Sequence, residues 1–439
     1  MTPSPPRHDP FEALRQPNFS VYLATRLLAT VAMTLLTASI AFHVYEISGS
    51  AFQLAMLGLV RFVPSLGLSL VGGAVADRYD RRKIVIAAQT VPLFCSTTLF
   101  LATVNGFIDL PLIYFLVLLT GLAVSFENPA RQALLPQVVT KEAFPNAIVV
   151  SSTVQSLGFV AGPTLGGFLI GWKGLDAPYF AHMLLILASL TGLAFLRLRE
   201  WQGERRAVSI AAIKEGLEFV IHRQVLLGAM TLDMFAVIFG GATALLPVVA
   251  KDILHVGGFG YGLLYSALDI GALITAISLI FLPPIKQAGR TLLASVAIFG
   301  LATMVFGLSR NLYLSIATYM LIGMADQVSV VLRQTAVQLS TPDELRGRVS
   351  SVNSLFIGAS NQLGAVESGL VAAATNATFA IVSGGAGCLA VVGIVWAKLP
   401  GLRNYVIERH PAQVTTLPAT QTYAAAAAAG PSGANGQPD

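Results

Sequence analysis

Seven ionisable side chains stand inside long apolar stretches of this 439-residue chain. They are Arg26, Arg61, Glu127, Asp233, Asp269, Asp326 and Glu367. If those stretches cross a bilayer, each charge is unfavourable by roughly 2.5 kcal/mol or more, so such residues are functional candidates by default. Buried carboxylates can bind and release protons, and buried arginines can hold anions or pair with the carboxylates.

The apolar stretches are numerous enough to form a membrane-spanning bundle. Hydrophobic residues make up 55% of the chain, charged residues 11%, and the mean hydropathy is +0.72, which excludes an ordinary soluble fold. Runs of about 20 apolar residues, the length that crosses the hydrocarbon core, predict twelve transmembrane helices. The predicted spans are 19–43, 53–76, 84–104, 110–131, 144–172, 178–197, 224–250, 259–282, 291–309, 312–335, 348–374 and 377–397.

The distribution of positive charge predicts the orientation. An even number of spans puts both termini on one side, and most of the 27 Lys and Arg residues fall on that side. Lys173, Lys251 and Arg310 fall on the other. By the positive-inside rule both termini are predicted to be cytoplasmic, in a multi-pass protein of the plasma (inner) membrane. Because topology accounts for the net charge of +5, nucleic-acid binding is not predicted.

The chain divides into two sets of six spans. The predicted parts are a cytoplasmic N-terminus (1–18), an N-terminal six-helix bundle (19–197), a cytoplasmic linker (198–223), a C-terminal six-helix bundle (224–397) and a cytoplasmic, disordered tail (398–439). A shift of 202 residues aligns Arg131 with Arg333 and Gly162 with Gly364. Parallel repeats of this kind place a substrate site between the halves, and access to it alternates by rocking.

Four motifs resemble those of a known family. Residues 73–83 read GAVADRYDRRK and resemble the loop signature of the major facilitator superfamily, and residues 158–167 read GFVAGPTLGG and resemble its antiporter motif. Segments 126–136 (FENPARQALLP) and 233–247 (DMFAVIFGGATALLP) resemble the branch of enterobactin exporters and macrolide efflux proteins. The resemblance implies an all-α integral membrane fold of twelve helices in two pseudo-symmetric halves.

The loop motif is expected to form a cytoplasmic gate. Gly73 lies one turn before Asp77 and would let a neighbouring helix approach closely. The Asp77 carboxylate would face the N-terminus of the eleventh helix and pair with Arg131 when the cytoplasmic side is closed. Arg78 and Arg82 belong to the same gate, although the alternative is that the arginines only set topology.

The antiporter motif is expected to lie at a moving interface. Gly158, Gly162, Gly166 and Gly167 recur on one side of the fifth span, so two backbones can touch, and Pro163 removes a helical hydrogen bond and bends the helix. The alternative is a small-residue packing face without meaning for the direction of transport.

The resemblance implies that the first, fourth, seventh and tenth helices line a central cavity. Those helices carry Arg26, Glu127, Asp233 and Asp326, so a cation and three carboxylates are expected to share one chamber and to couple proton binding to transport. Repulsion among the carboxylates favours protonation of at least one of them. The alternative is a static ion pair, such as Arg26 with Glu127.

Counting residues from the span ends also predicts an outer pair. Arg61 and Glu367 both fall roughly 10–12 Å below the outer surface, on the second and eleventh helices. These helices face each other in the resembling fold, so the two charges could pair as a counterpart of the Asp77 gate. The alternative is that Arg61 extends towards the outer surface while Glu367 binds substrate or a proton.

The sequence therefore favours a secondary active exporter of a small amphipathic molecule, of the siderophore or hydrophobic drug class, by proton antiport with alternating access. Proton-coupled nutrient uptake and a non-transporting receptor or scaffold are the alternatives. An enzyme is not predicted, because no phosphate cradle or nucleophile elbow is present. No cofactor or metal site is predicted, since Cys95 and Cys388 both fall inside spans. The expected partners are the small-molecule substrate, protons and membrane lipid, and the chain is expected to act as a monomer.

Overall fold

The described part of the chain is helical throughout. The computed structural model describes residues 12–65, 68–196, 198, 210–283, 285–342 and 345–407, and no strand forms within those ranges. Residues 1–11 of the predicted N-terminus, most of the linker before residue 210 and the predicted tail from residue 408 lie outside the description.

The described residues of the N-terminal half form seven α-helices. They are α1 (Pro17–Ser48), α2 (Ala51–Ser65), α3 (Leu68–Arg78), α4 (Arg81–Val104), α5 (Leu110–Val138), α6 (Phe144–Lys173) and α7 (Asp176–Phe195). Together α2 and α3 cover the predicted second span. Side-chain caps fix two of the starts, because Asp80 accepts from the first backbone N–H groups of α4 and Asp109 does the same for α5.

The C-terminal half repeats this order after a linker helix that the sequence does not predict. The elements are α8 (Ile210–Ile221), α9 (Gln224–Phe239), α10 (Leu246–Val248), α11 (Gly258–Phe281), α12 (Ala288–Leu308), α13 (Leu312–Ser340), α14 (Arg346–Ala374), α15 (Ala377–Lys398) and α16 (Pro400–Arg403). A 3-10 turn at Ala242–Leu245 and a π-helical turn at Val249–Ile253 prolong the seventh span beyond α9. The linker helix α8 packs on α14, where Arg348 pairs with Glu215.

The helices agree with the predicted spans in number and order. Ten of the described helical stretches are long and apolar enough to cross a membrane. One of them, Gln224–Ile253, corresponds to the seventh predicted span and joins α, 3-10 and π segments. The other two predicted spans correspond to the shorter pair α2 and α3 and to α14, which has 29 residues but a more polar composition.

Successive helices run in opposite directions, so their ends gather at two faces of the bundle. We call the end where α1 begins and α15 ends the terminal face, and the opposite end the far face. The two halves contact each other mainly through α6 on α11 and α2 on α14. Both contacts lie towards the far face, where small residues bring the backbones together: a Cβ added to Gly167 would stand 2.4 Å from the Cα of Gly262.

The hydrophobic cores follow the same division. One large core joins residues of both halves, including Val44 and Leu54 with Leu245 and Tyr261. Two smaller cores each belong to one half and lie towards the terminal face, one around Phe19 and the other around Val349 and neighbouring residues. Among the described residues, the halves therefore share a core towards the far face and have separate cores towards the terminal face.

Candidate functional site

A cavity of three adjoining lobes lies inside the bundle. The central lobe, about 560 Å³, lies between α1, α2 and α5 of the first half and α14 of the second. A C-half lobe of about 320 Å³ shares Thr37, Arg61 and Gln362 with it. An N-half lobe of about 270 Å³ shares residues of α1 and α5 with the central lobe, including Met33 and Asn128. Volumes in this range suit a drug-sized ligand.

Two of the predicted charges line the N-half lobe, but they do not pair with each other. The Glu127 carboxylate accepts from Arg131 one turn along α5, at 2.6 Å and 3.1 Å, and from the Gln89 side chain at 2.9 Å. Arg26 donates instead to the Tyr22 hydroxyl and to Gln155. The alternative pairing of Arg26 with Glu127 is therefore wrong, because Arg131 at the i+4 position is the nearer cation on the same helix face.

The C-terminal half holds a second buried ion pair. Arg333 Nη2 on α13 lies 3.1 Å from Asp233 Oδ1 on α9, and Arg333 Nη1 donates to Asn353 on α14 at 2.9 Å. Arg333 and Arg131 are the arginines that the sequence repeat aligns. Each holds a carboxylate, but one carboxylate comes from the same helix and the other from a neighbouring helix.

The four predicted cavity charges are distributed over different parts of the cavity and its walls. Asp326 lines the C-half lobe, whereas Arg26 and Glu127 line the N-half lobe. Asp233 is not among the described residues that line the three lobes, because it is buried against Arg333. Among described side chains, Asp326 has no ion-pair partner within 4 Å, although Asp233 and Arg333 act on it electrostatically.

The predicted gate residues have other partners in this structure. Arg82 donates to the backbone carbonyls of Leu196 and Ala194 and so caps the end of α7, while Arg78 is exposed. Arg131 is occupied by Glu127, and the side chain of Asp77 lies outside the described residues. A contact between Asp77 and the start of α14 stays a prediction.

The close helix approach expected at Gly73 occurs one residue earlier. A Cβ added to Gly72 would stand 2.3 Å from the Ser125 carbonyl oxygen of α5, whereas one added to Gly73 would meet no atom within 4 Å. The reason is geometric, since one residue turns the helix face by about 100°.

The glycines of the antiporter motif pack against two helices. Cβ atoms added to Gly158 and Gly162 would fall 2.7 Å from Thr30 Cγ2 and 1.9 Å from Thr34 Oγ1, and one added to Gly166 would fall 3.1 Å from Ser39 Oγ, so these three glycines face α1. Gly167 faces Gly262 of α11, beside the carbonyl of Pro163. The motif thus packs α6 on α1 and joins α6 to the other half.

The predicted pair of Arg61 with Glu367 is not formed. On α14, Ala365 and Gly369 face α2, where they contact Gly58 and Ala55. Glu367 is two residues from each, about 200° around the helix, so it points away from α2 and accepts from the adjacent Ser368. The register also differs from the predicted one, because Gly58 lies beside Ala365, which puts Arg61 level with Gln362 and about 7.5 Å along α14 from Glu367. Arg61 lines the cavity instead.

Another polar contact closes the far face between the halves. Tyr45, near the end of α1, donates to Asp252 in the π-helical turn, and Lys251 lies 2.8 Å from Glu46. Sequence reasoning used Lys251 only as a topology charge. The sequence did contain a sign of this pair, since opposite charges occur near the ends of the first and seventh spans. The π-helical turn is what places Lys251 beside Glu46.

Comparisons with known proteins decide the family. A family model described as transmembrane secretion effector, within the major facilitator superfamily, matches residues 8–416. The chain belongs to that family. The predicted resemblance is confirmed, and the all-helical architecture agrees with the major facilitator fold.

Curated relatives are similar to the chain in sequence, and solved structures are similar to it in fold. The chain is 26% identical to the enterobactin exporter EntS of Citrobacter koseri, over 89% of this chain and 93% of the relative. It is 25% identical to EntS of Escherichia coli, over 91% and 95%. A bacterial homologue of the lysosomal transporter Spinster, inward-facing and unoccupied, superposes with a TM-score of 0.66 at 13% identity, over 89% of this chain and 97% of that one. The nucleoside transporter NupG gives 0.67 at 11% identity, over 86% and 99%.

Proposed function

We propose that this protein is a secondary active exporter that moves a small amphipathic molecule out of the cell in exchange for protons. The observation that carries the proposal is the polar cavity between the two halves, which contains Arg61 and Asp326 and is bounded by close backbone packing towards the far face. A pump of this design binds its substrate between pseudo-symmetric halves. The siderophore class is favoured because the relatives named above are enterobactin exporters.

The places where the halves touch support a mechanism of alternating access. The far face is held by α6 on α11 and by α2 on α14, while the cores near the terminal face remain separate. With both termini in the cytoplasm of a plasma (inner) membrane protein, as the positive-inside rule predicts, this arrangement corresponds to an inward-facing state. Substrate would enter from the cytoplasm and leave after the far-face contacts open.

Asp326 is the favoured proton carrier. Glu127 and Asp233 are each held by an arginine, whereas Asp326 lines the cavity and, among the described side chains, has no ion pair. A carboxylate that faces the cavity without a fixed cation can exchange a proton with cavity water when either side opens. The paired carboxylates would first have to release their arginines.

Asp326→Asn should separate coupling from substrate movement. In proteoliposomes with an imposed proton gradient, the parent chain should accumulate enterobactin or an amphipathic dye against its concentration gradient. The variant should lose that accumulation and keep downhill exchange, because the substitution removes the proton site and little volume. Asp109→Asn, which preserves a helix cap at the far face, is the matched control.

Two results would contradict this proposal in different ways. Absence of gradient-driven accumulation of any tested compound by the parent chain would reject secondary export. Full coupling in Asp326→Asn would reject Asp326 as the carrier and return Glu127 and Asp233 to consideration. Accumulation of the dye without enterobactin would reject the siderophore class alone.

A further inference from the structure

We propose that Arg61 is the anion-binding residue of the central cavity and that the ligand is an organic acid, an apolar or aromatic body with one acidic group. This inference rests on the proposed export function in one respect: it takes the ligand to be the transported molecule. It concerns a residue that the depth argument assigned to a gate.

Arg61 lies where the packed interface between the halves becomes a cavity. Along α2 and α14 the contacts descend from Ala55 on Gly369 to Gly58 on Ala365. One turn further, Arg61 of α2 and Gln362 of α14 come next on the same helix faces. Both line the central and C-half lobes, so the guanidinium stands beneath the far-face closure, where the two lobes meet.

The guanidinium of Arg61 has unused donors. It makes one long hydrogen bond, 3.4 Å from Nη2 to the Thr37 carbonyl, and no carboxylate lies within 4 Å among the side chains that the structure describes. Arg131 and Arg333 differ, since each binds a carboxylate. A guanidinium offers five N–H donors, and a cation at membrane depth is unfavourable without an anionic partner. An acidic ligand group would supply that partner.

The walls around Arg61 indicate the rest of the ligand. Tyr265, Phe299 and Tyr319 contribute aromatic surface to the C-half lobe, and Leu57 and Ile322 add aliphatic surface. Asp326 lines the same lobe, so a second acidic group on the ligand would be repelled. One acid beside Arg61, with an apolar body along these walls, is the chemistry that fits.

The proposal predicts that a carboxylate is preferred over its neutral analogue. The probes are dansylglycine and dansylglycinamide, which share one fluorescent body and differ in charge. Their dissociation constants would be measured by dansyl fluorescence on the full chain in lipid nanodiscs. The parent chain should bind the carboxylate about tenfold more tightly, the value of a charge-assisted hydrogen bond.

Matched variants identify the residue responsible. Arg61→Gln should make the dissociation constants of the two probes nearly equal. Arg61→Lys should keep part of the preference for the carboxylate because it retains the positive charge. Arg310→Gln removes an arginine at the far face, where it contacts Thr378, and should leave the preference unchanged.

The proposal is overturned if the parent chain binds neither probe, if it binds both equally, or if the preference survives in Arg61→Gln. The proton-gradient experiment is independent of this result. If Arg61→Gln abolishes the anion preference but the parent chain never accumulates a compound, export is refuted and the anion-site proposal stands. Coupled transport with an unchanged preference in Arg61→Gln would refute the anion site alone.

Discussion

At the scale of single residues, the two repeat-related arginines matter most for stability. Arg131 and Arg333 are buried, and each is matched by one carboxylate. Removing one member of a buried ion pair lowers the free energy of unfolding by more than the intact pair contributes to it, because an uncompensated charge is left away from water. These pairs should therefore be important for folding as well as for transport.

Asp233→Asn should lower the free energy of unfolding by about 3–5 kcal/mol, since Arg333 would keep its charge and lose its counter-ion. Glu46→Gln is the control, because its pair with Lys251 is roughly two-fifths exposed and should contribute about 1 kcal/mol or less. Thermal unfolding in detergent, followed by tryptophan fluorescence, would compare the two. Equal melting temperatures in Asp233→Asn and in the parent chain would contradict a structural role for the pair.

Sequence reasoning assigned the charges to helices but not to a helix face or to a level along neighbouring helices. The burial of Glu127 and Asp233 and the half-buried position of Asp326 follow from the apolar runs around them. The repeat predicts that Arg333 is the counterpart of Arg131. The pairing of cations with carboxylates depends on the helix face, which turns by about 100° per residue, and on the level along the helix. A small error in the end of a predicted span changes both the predicted face and the predicted level. For that reason Arg61 was assigned to a gate and Glu367 to its partner.

At the scale of helices, the far-face closure depends on residues without side chains. Gly167 and Gly262 put the backbones of α6 and α11 in contact, and an added Cβ at Gly167 would also fall 2.5 Å from the Gly258 carbonyl oxygen. Backbone atoms on both sides cannot move aside as a flexible side chain can. A larger residue at this position must push the halves apart.

Gly167→Leu should therefore open the far face. Spin labels on cysteines at Lys173 and Tyr313, in a background with Cys95 and Cys388 replaced by Ala, should report a longer distance between the halves by pulsed electron paramagnetic resonance. Gly393→Leu is the control, because a Cβ there meets no atom within 4 Å. Gly167→Ala carries the same Cβ and provides a milder variant. An unchanged label distance in folded Gly167→Leu and Gly167→Ala would refute this account of the closure.

The order of the helices was predictable, and some of their interruptions were not. Apolar length and the glycine motif were enough to place α6 at an interface, since close packing needs small residues wherever the partner lies. Nothing in the sequence reasoning indicated the π-helical turn at Val249–Ile253. The linker helix α8 does have a local signal that the reasoning did not use, because Ile213, Leu217 and Val220 recur at helical spacing.

At the scale of the whole molecule, transport requires that the terminal face can also close. In the present state Arg131 is bound to Glu127, and the cores on that side are separate. The side chain of Asp77 lies outside the described residues, so its contact with the helix N-terminus of α14 is a prediction. We infer that Asp77 stabilises the outward-facing state, in which the terminal face is closed, because a carboxylate is favourable at the positive end of a helix.

Asp77→Asn should shift the population towards the state with an open terminal face. A cysteine introduced at Ser354, an exposed residue of the central lobe, should then react faster with a maleimide applied from the terminal face, and transport should fall while the protein stays folded. Asp80→Asn is the matched control within the same loop, because Asn caps a helix about as well as Asp does and the start of α4 would be preserved. If Asp77→Asn changes neither the labelling rate nor transport, the loop motif serves topology only, and closure of the terminal face must depend on other contacts between the halves.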